Sequence, residues 1–390
     1  MRPRAKQVTT LVTDHGLLQD RQIISQAHRI VVKIGSSSLT TENGHLNIKQ
    51  LTQLVDVLAE RCRAGHQIVL VTSGAVAAGL APLGLTSRPH DIATTQAAAS
   101  VGQGKLVEQY ARAFATHGIN VGQVLLTAED TVRRRRYKNA QRALTRLLDL
   151  GVVPIINEND AVTTAELKFG DNDRLAALTS HLVGAQALVL LTDVDGLHDK
   201  SPRQAGARRI PFVANVDDVG HVPISAHGST VGTGGMVTKM ESVRIATGSG
   251  IPVILTAATH IKPALDGQDV GTFFAATGRR INARRLWIAH AAVIQGSLYL
   301  DSGAVAAISQ GHASLLPAGI TKVRGEFDAG DPVQLCTSDG TVIARGLCAY
   351  DSRELPDLIG RQTQWLKESL GDGYSRAVIH RDDLVLTVPH

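Results

Sequence analysis

Aromatic side chains make up only 3% of the 390 residues, so stacking platforms for single-stranded nucleic acid are scarce. Cysteine is just as sparse. Cys62, Cys336 and Cys348 are too few and too scattered for a disulfide framework or a cysteine-rich zinc site, and they fit a reducing cytoplasm. No apolar run reaches membrane-spanning length. The first 27 residues carry basic side chains without an apolar h-region, so they read as a frayed N-terminal extension rather than a signal peptide. Several signatures are missing as well. There is no G-x-x-x-x-G-K-[ST], which excludes a Walker P-loop, and no G-x-G-x-x-G, which weakens a dinucleotide site and a protein-kinase glycine loop. No H-E-x-x-H or close histidine pair stands out among the 15 histidines, so no protein-held metal is expected. Ser73 lacks the G-x-S-x-G context of a nucleophile elbow.

What is present is a soluble globular balance, with 43% hydrophobic and 19% charged residues. The net charge of +5 is compatible with anionic small molecules or RNA and diagnostic of neither. The length exceeds one ordinary core, and the pattern divides it. An extension over 1–27 precedes an α/β domain over 28–275. A linker over 276–295 carries Arg279, Arg280, Arg284 and Arg285. A mainly β module follows over 296–373, with a tail over 374–390.

Within 28–275, short β-branched runs alternate with amphipathic helices, as a mostly parallel sheet sandwiched by helices requires. Strands are expected at 30–34, 68–71, 121–126, 152–156, 187–191 and, last, 251–255. The helix from Asn47 to Ala64 shows Ile48, Leu51, Val55, Leu58 and Cys62 at helical spacing, with Asn47 as cap and Gly65 as stop. Residues 161–168 read as a hairpin or loop, and 198–230 as loop-rich. Beyond 296, strands are expected at 297–300, 320–323, 332–336 and 341–344, with Asp339-Gly340 as a hairpin turn and a closing strand within 378–388.

In such sheets ligands bind beyond the carboxyl ends of the strands. Polar clusters collect there: Lys33 to Ser38, Thr72 to Ala75, Asn157 to Asp160, Gly170 to Asp173 and Thr192 to Gly196. Lys33 follows a buried run and precedes a small, polar turn, while Lys239 follows Gly232 to Thr238 at the start of a helix. Two lysines at glycine-rich turns suit phosphoryl transfer, which needs N–H donors and cations around phosphate oxygens. Each feature also has a plain structural reading. The lysines can be solvated, Asp173 a helix cap, and Asn157, Asp160 and Asn172 turn formers. Arg133 to Arg136 can be a solvated face or a loop that closes on substrate.

Taken in order, Val32-Lys33-Ile34-Gly35-Ser36, Val71-Thr72-Ser73-Gly74-Ala75, Asn157-Glu158-Asn159-Asp160, Gly170-Asp171-Asn172-Asp173 and Gly232-Thr233-Gly234-Gly235-Met236-x-Thr238-Lys239 resemble the glutamate 5-kinases, a bacterial family of amino-acid kinases that begins proline biosynthesis. The C-terminal module resembles a PUA domain through Asp301-Ser302-Gly303-Ala304, Ser314-Leu315-Leu316-Pro317-x-Gly319-Ile320 and Gly325-x-Phe327-x-x-Gly330-Asp331. The resemblance spans about 28–388 and leaves the first 27 residues outside.

The resemblance implies ATP-dependent phosphorylation of the L-glutamate γ-carboxylate in the cytoplasm, with Mg²⁺ accompanying ATP. Catalysis falls to Lys33, Lys239 and Asp173, the aspartate holding the two lysines in place. Glutamate binding falls to Ser73, Gly74, Asn157, Asp160 and Asn172. ATP binding falls to Lys33, Gly35, Thr192, Asp193, Thr233, Gly234, Gly235, Met236, Val237, Thr238 and Lys239. Proline as feedback inhibitor and a homo-oligomer, tetramer or dimer, are further implications. The rival readings are a related kinase for another carboxylate or UMP, and RNA binding through the PUA-like module.

Overall fold

The computed structural model describes residues 14–41, 46–89, 91–127, 130–131, 134–162, 172–202, 204–219, 235–277, 285, 288, 294–311, 313–361, 363–370 and 376–387. The chain divides into two compact units, Met1–Thr127 with Lys138–Arg280, and Ala128–Tyr137 with Ile281–His390.

The first unit is built on eight strands: β1 Arg29–Ile34, β2 Gln67–Thr72, β3 Val121–Leu126, β4 Val153–Glu158, β5 Ala187–Thr192, β6 Phe212–Val213, β7 Val253–Ala257 and β8 Thr272–Phe274. They lie in the order β3-β4-β2-β1-β5-β7-β8-β6. The six strands from β3 to β7 in that order are all parallel. Only β8, antiparallel to β7, and β6, parallel to β8, reverse direction. Parallel strands with helices on both faces are buried on both sides, hence the nearly unbroken Val, Ile and Leu runs. β1 lies at the centre, and the chain leaves it toward β2 on one side and returns as β5 on the other. That reversal is where a crevice opens beyond the strand ends.

The helices follow local rules. Asn47 caps the helix Ile48–Arg63 by accepting from the Gln50 N–H at 3.1 Å, and Gly65 ends it with a φ of 90°. Leu51, Leu54, Val55 and Leu58 of that helix pack into one core with Ile30, Val32 and Ile34 of β1. The helix Asn172–Leu182 packs against β1 and against the helix Met236–Gly248. A short helix, Ala75–Leu80, crosses the long helix Ile92–Ala115 through glycines. A Cβ on Gly102 would lie 1.7 Å from the Ala75 carbonyl oxygen, and one on Gly79 would lie 1.9 Å from that of Ala98.

The structure differs from the sequence expectations at several points. Residues 14–26 are a helix and not a frayed end. Arg21, 1% exposed, donates to the carbonyls of Pro211 (2.6 Å), Val270 (2.6 Å), Gly271 (3.2 Å) and Gln268 (3.4 Å). A guanidinium can serve this many acceptors, and all four come from chain positions about two hundred residues away, which no local pattern reveals. The strand at 253–257 is not the last of its sheet, because buried β8 follows it and β6 interrupts the loop-rich stretch. β4 runs on through Asn157 and Glu158, so the polar cluster begins inside the strand. Of the stretch 161–168 only 161–162 lie within the described residues, and both are exposed turn positions.

The second unit holds β9 Gly296–Leu300, β10 Ile320–Gly325, β11 Pro332–Cys336, β12 Val342–Leu347 and β13 Leu384–Leu386 in the order β10-β9-β11-β12-β13. Its own core joins Leu298, Leu300, Val333, Leu335, Tyr350 and Ile379. The closing strand is shorter than its apolar run, because Ile379 is spent on an isolated bridge to Leu315. Gly340 makes the expected turn with a φ of 92°. No helix among the described residues is long and apolar enough to cross a membrane.

Candidate active site

Lys33 stands on β1, one residue from its carboxyl end, and shares with Val31 the face opposite to Ile30, Val32 and Ile34. Asp173 stands on the first turn of the helix packed against β1, and Lys239 on the first turn of the helix packed against that one. The three meet in the interior. Lys33 Nζ lies 2.6 Å from Asp173 Oδ1, and Lys239 Nζ lies 3.0 Å from Asp173 Oδ2. Asp173 is 0% exposed, Lys33 3% and Lys239 7%. Burial pushes the Asp173 carboxyl upward, but the ammoniums of Lys33 and Lys239 and their hydrogen bonds outweigh it and hold the pKa at about 2, against an ordinary 3.8. One carboxylate holds two ammoniums side by side out of bulk water, a setting suited to polyanions. Gly35 adjoins this place, since a Cβ there would sit in ordinary contact, 3.5 Å from Lys33 Nζ.

Asn172, the residue before Asp173, joins a second cluster. Its Nδ2 donates to Ser73 Oγ at 2.8 Å and to Asn157 Oδ1 at 3.1 Å. Asn157 Oδ1 also accepts from the Glu158 N–H at 2.9 Å. Asn172 Oδ1 is buried and has no protein partner among the described residues. Gly74, next to Ser73, turns the chain from β2 into a helix with a φ of 99°, which only glycine adopts without strain. Asp160 follows β4 by two residues and is half-buried.

The remaining sequence candidates occupy two neighbouring strand and helix ends. Thr192 ends β5, is buried, and donates to Asp193 Oδ1 at 2.9 Å. Gly235 caps the helix Met236–Gly248 and accepts from Thr238 Oγ1 at 2.9 Å; Met236 is half-buried and Val237 exposed. Thr233 and Gly234 lie outside the described residues. The structure thus brings Lys33, Asp173 and Lys239 together, and Ser73, Asn157 and Asn172 together, with adjacent residues linking the two groups.

Two side chains behind the site escaped the sequence reading. Gln103 Nε2 donates to the Glu158 carbonyl at 3.3 Å, and Tyr110 OH and Thr72 Oγ1 are 2.9 Å apart. The signal for them is a pair of polar residues seven positions apart on an otherwise apolar helix face.

A parallel sheet with a lysine-aspartate-lysine bridge at its central carboxyl edge, beside an amide and hydroxyl cluster, suits a phosphotransferase for a small anionic acceptor. The amino acid kinase family model matches residues 28–257 and the PUA domain model residues 296–370. The chain belongs to the amino acid kinase family and carries a PUA domain over residues 296–370. It is 56% identical over 373 residues to the glutamate 5-kinase of Thermobifida fusca (strain YX), covering 95% of this chain and 96% of that one. The glutamate 5-kinase of Streptomyces avermitilis is 56% identical over 371 residues, with 95% and 99% covered. That of Bifidobacterium longum (strain DJO10A) is 53% identical over 367 residues, with 94% and 97% covered.

Proposed function

We propose that the chain transfers the γ-phosphoryl group of ATP to the side-chain carboxylate of L-glutamate, forming γ-glutamyl phosphate and ADP at the entry to proline biosynthesis. The observation that carries this reading is the buried Lys33–Asp173–Lys239 bridge set beside Ser73, Asn157 and Asn172. The near full-length likeness to glutamate 5-kinases supports the acceptor.

The chemistry needs no general base. A glutamate side chain with a reference pKa of about 4.3 is already an anionic nucleophile at neutral pH. Its oxygen forms the new bond to the γ-phosphorus as the bond to the β–γ bridging oxygen breaks, and ADP leaves with that electron pair. The obstacle is bringing two anions together. Lys33 and Lys239 offset the repulsion and carry charge on the transferred group, while Asp173 fixes where both ammoniums stand. Gly35, Thr192, Asp193 and the segment from Thr233 to Lys239 form the ATP subsite in this reading. The start of a thirteen-residue helix at Met236 adds positive potential toward phosphate. Ser73, Gly74, Asn157, Asp160 and Asn172 form the glutamate subsite, where Asn172 Oδ1 offers a free acceptor for the α-ammonium.

Mg²⁺ belongs to the nucleotide substrate as MgATP, where it neutralises phosphate oxygens and keeps much of its water. The family resemblance further supports proline as feedback inhibitor, a dimer or tetramer, and work in the cytoplasm. It also supports a kinase domain over 28–275 and a PUA-like domain over 296–373, in line with the matched residues 28–257 and 296–370.

The test is MgATP turnover by the purified chain with L-glutamate, N-acetylglutamate, L-aspartate or UMP, with hydroxylamine present to trap an acyl phosphate. Glutamate-dependent hydroxamate is the expected result. Turnover with another acceptor alone would overturn the substrate and keep the lysine roles.

A further inference from the structure

The helix Ile92–Ala115 buries Ala98, Ala99, Gly102, Gln103, Leu106, Tyr110 and Phe114 along one face. Two members of that face are polar, and each reaches the end of a different strand. Gln103 is 7% exposed and donates from Nε2 to the Glu158 carbonyl, while its Oε1 accepts from Gln123 Nε2 at 3.2 Å. The N–H of the same Glu158 is held by Asn157 Oδ1. Glu158 is therefore pinned at both its N–H and its carbonyl, and Asn157 is fixed with it. Tyr110 acts on the neighbouring strand. Thr72 Oγ1 lies 3.2 Å from the Ser73 carbonyl and 2.9 Å from the Tyr110 hydroxyl, so Thr72 links Tyr110 to the backbone of Ser73. Burial pushes the Tyr110 phenol above its usual range, so the hydroxyl keeps its proton. The two chains converge, because Ser73 Oγ and Asn157 Oδ1 are the two acceptors of Asn172 Nδ2.

We propose that Gln103 and Tyr110 are positioning residues that set the affinity for the amino-acid acceptor, and that the helix carrying them is the backing element of that subsite. The inference rests on the assignment of Ser73, Asn157 and Asn172 to glutamate. Neither side chain belongs to the Lys33–Asp173–Lys239 bridge, so the effect is confined to one substrate. A buried polar pair could serve stability alone. That role would lower the melting temperature without separating the two Michaelis constants.

The experiment compares the parent with Gln103→Met and Tyr110→Phe, which keep side-chain volume, and with Leu106→Val on the same buried face. Michaelis constants for glutamate and for ATP, kcat and the thermal midpoint are measured for each. Loss of the hydrogen bonds behind the subsite, to Glu158 and Gln123 in one variant and to Thr72 in the other, is expected to raise the glutamate constant about fivefold in each. The ATP constant and kcat should hold. Leu106→Val should lower the thermal midpoint and leave both constants unchanged. Unchanged glutamate constants in both polar variants would overturn the inference, and so would equal changes in the glutamate and ATP constants. Should Gln103→Met fail to fold, Tyr110→Phe, which removes one oxygen, decides alone. Absence of glutamate turnover by the parent would instead overturn the functional assignment beneath the inference.

Discussion

Asp173 bridges two ammoniums that share no chain neighbourhood, and this sets what each substitution can do. In the proposed reaction Lys33 and Lys239 face charge that develops on the transferred phosphoryl group, which makes their contribution greatest in the transition state. Lys33→Ala and Lys239→Ala are each expected to lower kcat by about 10² to 10³. The glutamate constant should move far less, and steady-state kinetics with each substrate varied separates the two. Near-normal kcat in both variants would remove them from the mechanism. Asp173→Asn should act on folding as well, because it leaves two buried cations facing each other; breaking such a bridge costs about 3 to 5 kcal/mol. Its pH dependence has a definite sign. The carboxyl has a folded pKa of about 2 and an ordinary value of 3.8, so its stabilisation is full above 3.8 and is lost as the pH falls toward 2. Urea midpoints of parent and Asp173→Asn should therefore differ most at neutral pH and converge over that acid window. A gap that stayed constant down to the acid end would deny the carboxylate this role.

Elements place these residues, and one helix crossing is decisive for the acceptor side. The helix Ala75–Leu80 begins directly after Ser73 and Gly74 and rests on the helix Ile92–Ala115 through Gly79 and Gly102. A methyl on Gly102 would meet the Ala75 carbonyl oxygen at 1.7 Å and the Gly79 nitrogen at 2.7 Å, backbone atoms that cannot swing aside. Gly102→Ala should destabilise by about 1 to 3 kcal/mol, as overpacking does. It should also raise the glutamate constant, because Ser73 moves with the displaced helix. Denaturant unfolding and kinetics on the same preparation check both parts. An unchanged midpoint would show that the crossing adjusts without strain. The sequence disclosed the elements better than their junctions. Short β-branched runs and the Asn47 cap located the central strands and the helix after β1, since these depend on neighbours in the chain. The motifs also placed Lys33, Asp173 and Lys239 at strand and helix ends. The Gly79–Gly102 crossing, the Arg21 latch and the short strands β6 and β8 depend on partners far along the chain. A glycine, an arginine and two brief apolar runs carry no sign of them.

At the scale of the molecule, two cores divide the work. The first joins Ile30, Val32, Ile34, Leu70, Ile155, Val189 and Ile254 across the large sheet, and the second joins Leu298, Leu300, Val333, Leu335 and Ile379 around the small one. Every residue assigned to phosphoryl transfer falls between Lys33 and Lys239, within the matched kinase segment or before its end at 257. A unit with its own core can fold alone. A chain ending at Arg280, which keeps the whole first unit together with Ala128–Tyr137 of the second, is therefore expected to form glutamate hydroxamate with most of the parent's kcat and with an unchanged ATP constant. The informative comparison is of full-length and shortened chains in the same assay, each first shown to unfold cooperatively. Retained turnover would confine the chemistry to the large sheet and leave the PUA domain to regulation or assembly, which proline titration and sedimentation of the two chains would then distinguish. A shortened chain that unfolds cooperatively and has no turnover would mean that the second unit completes the site, and would overturn the assignment of the whole reaction to residues 33–239.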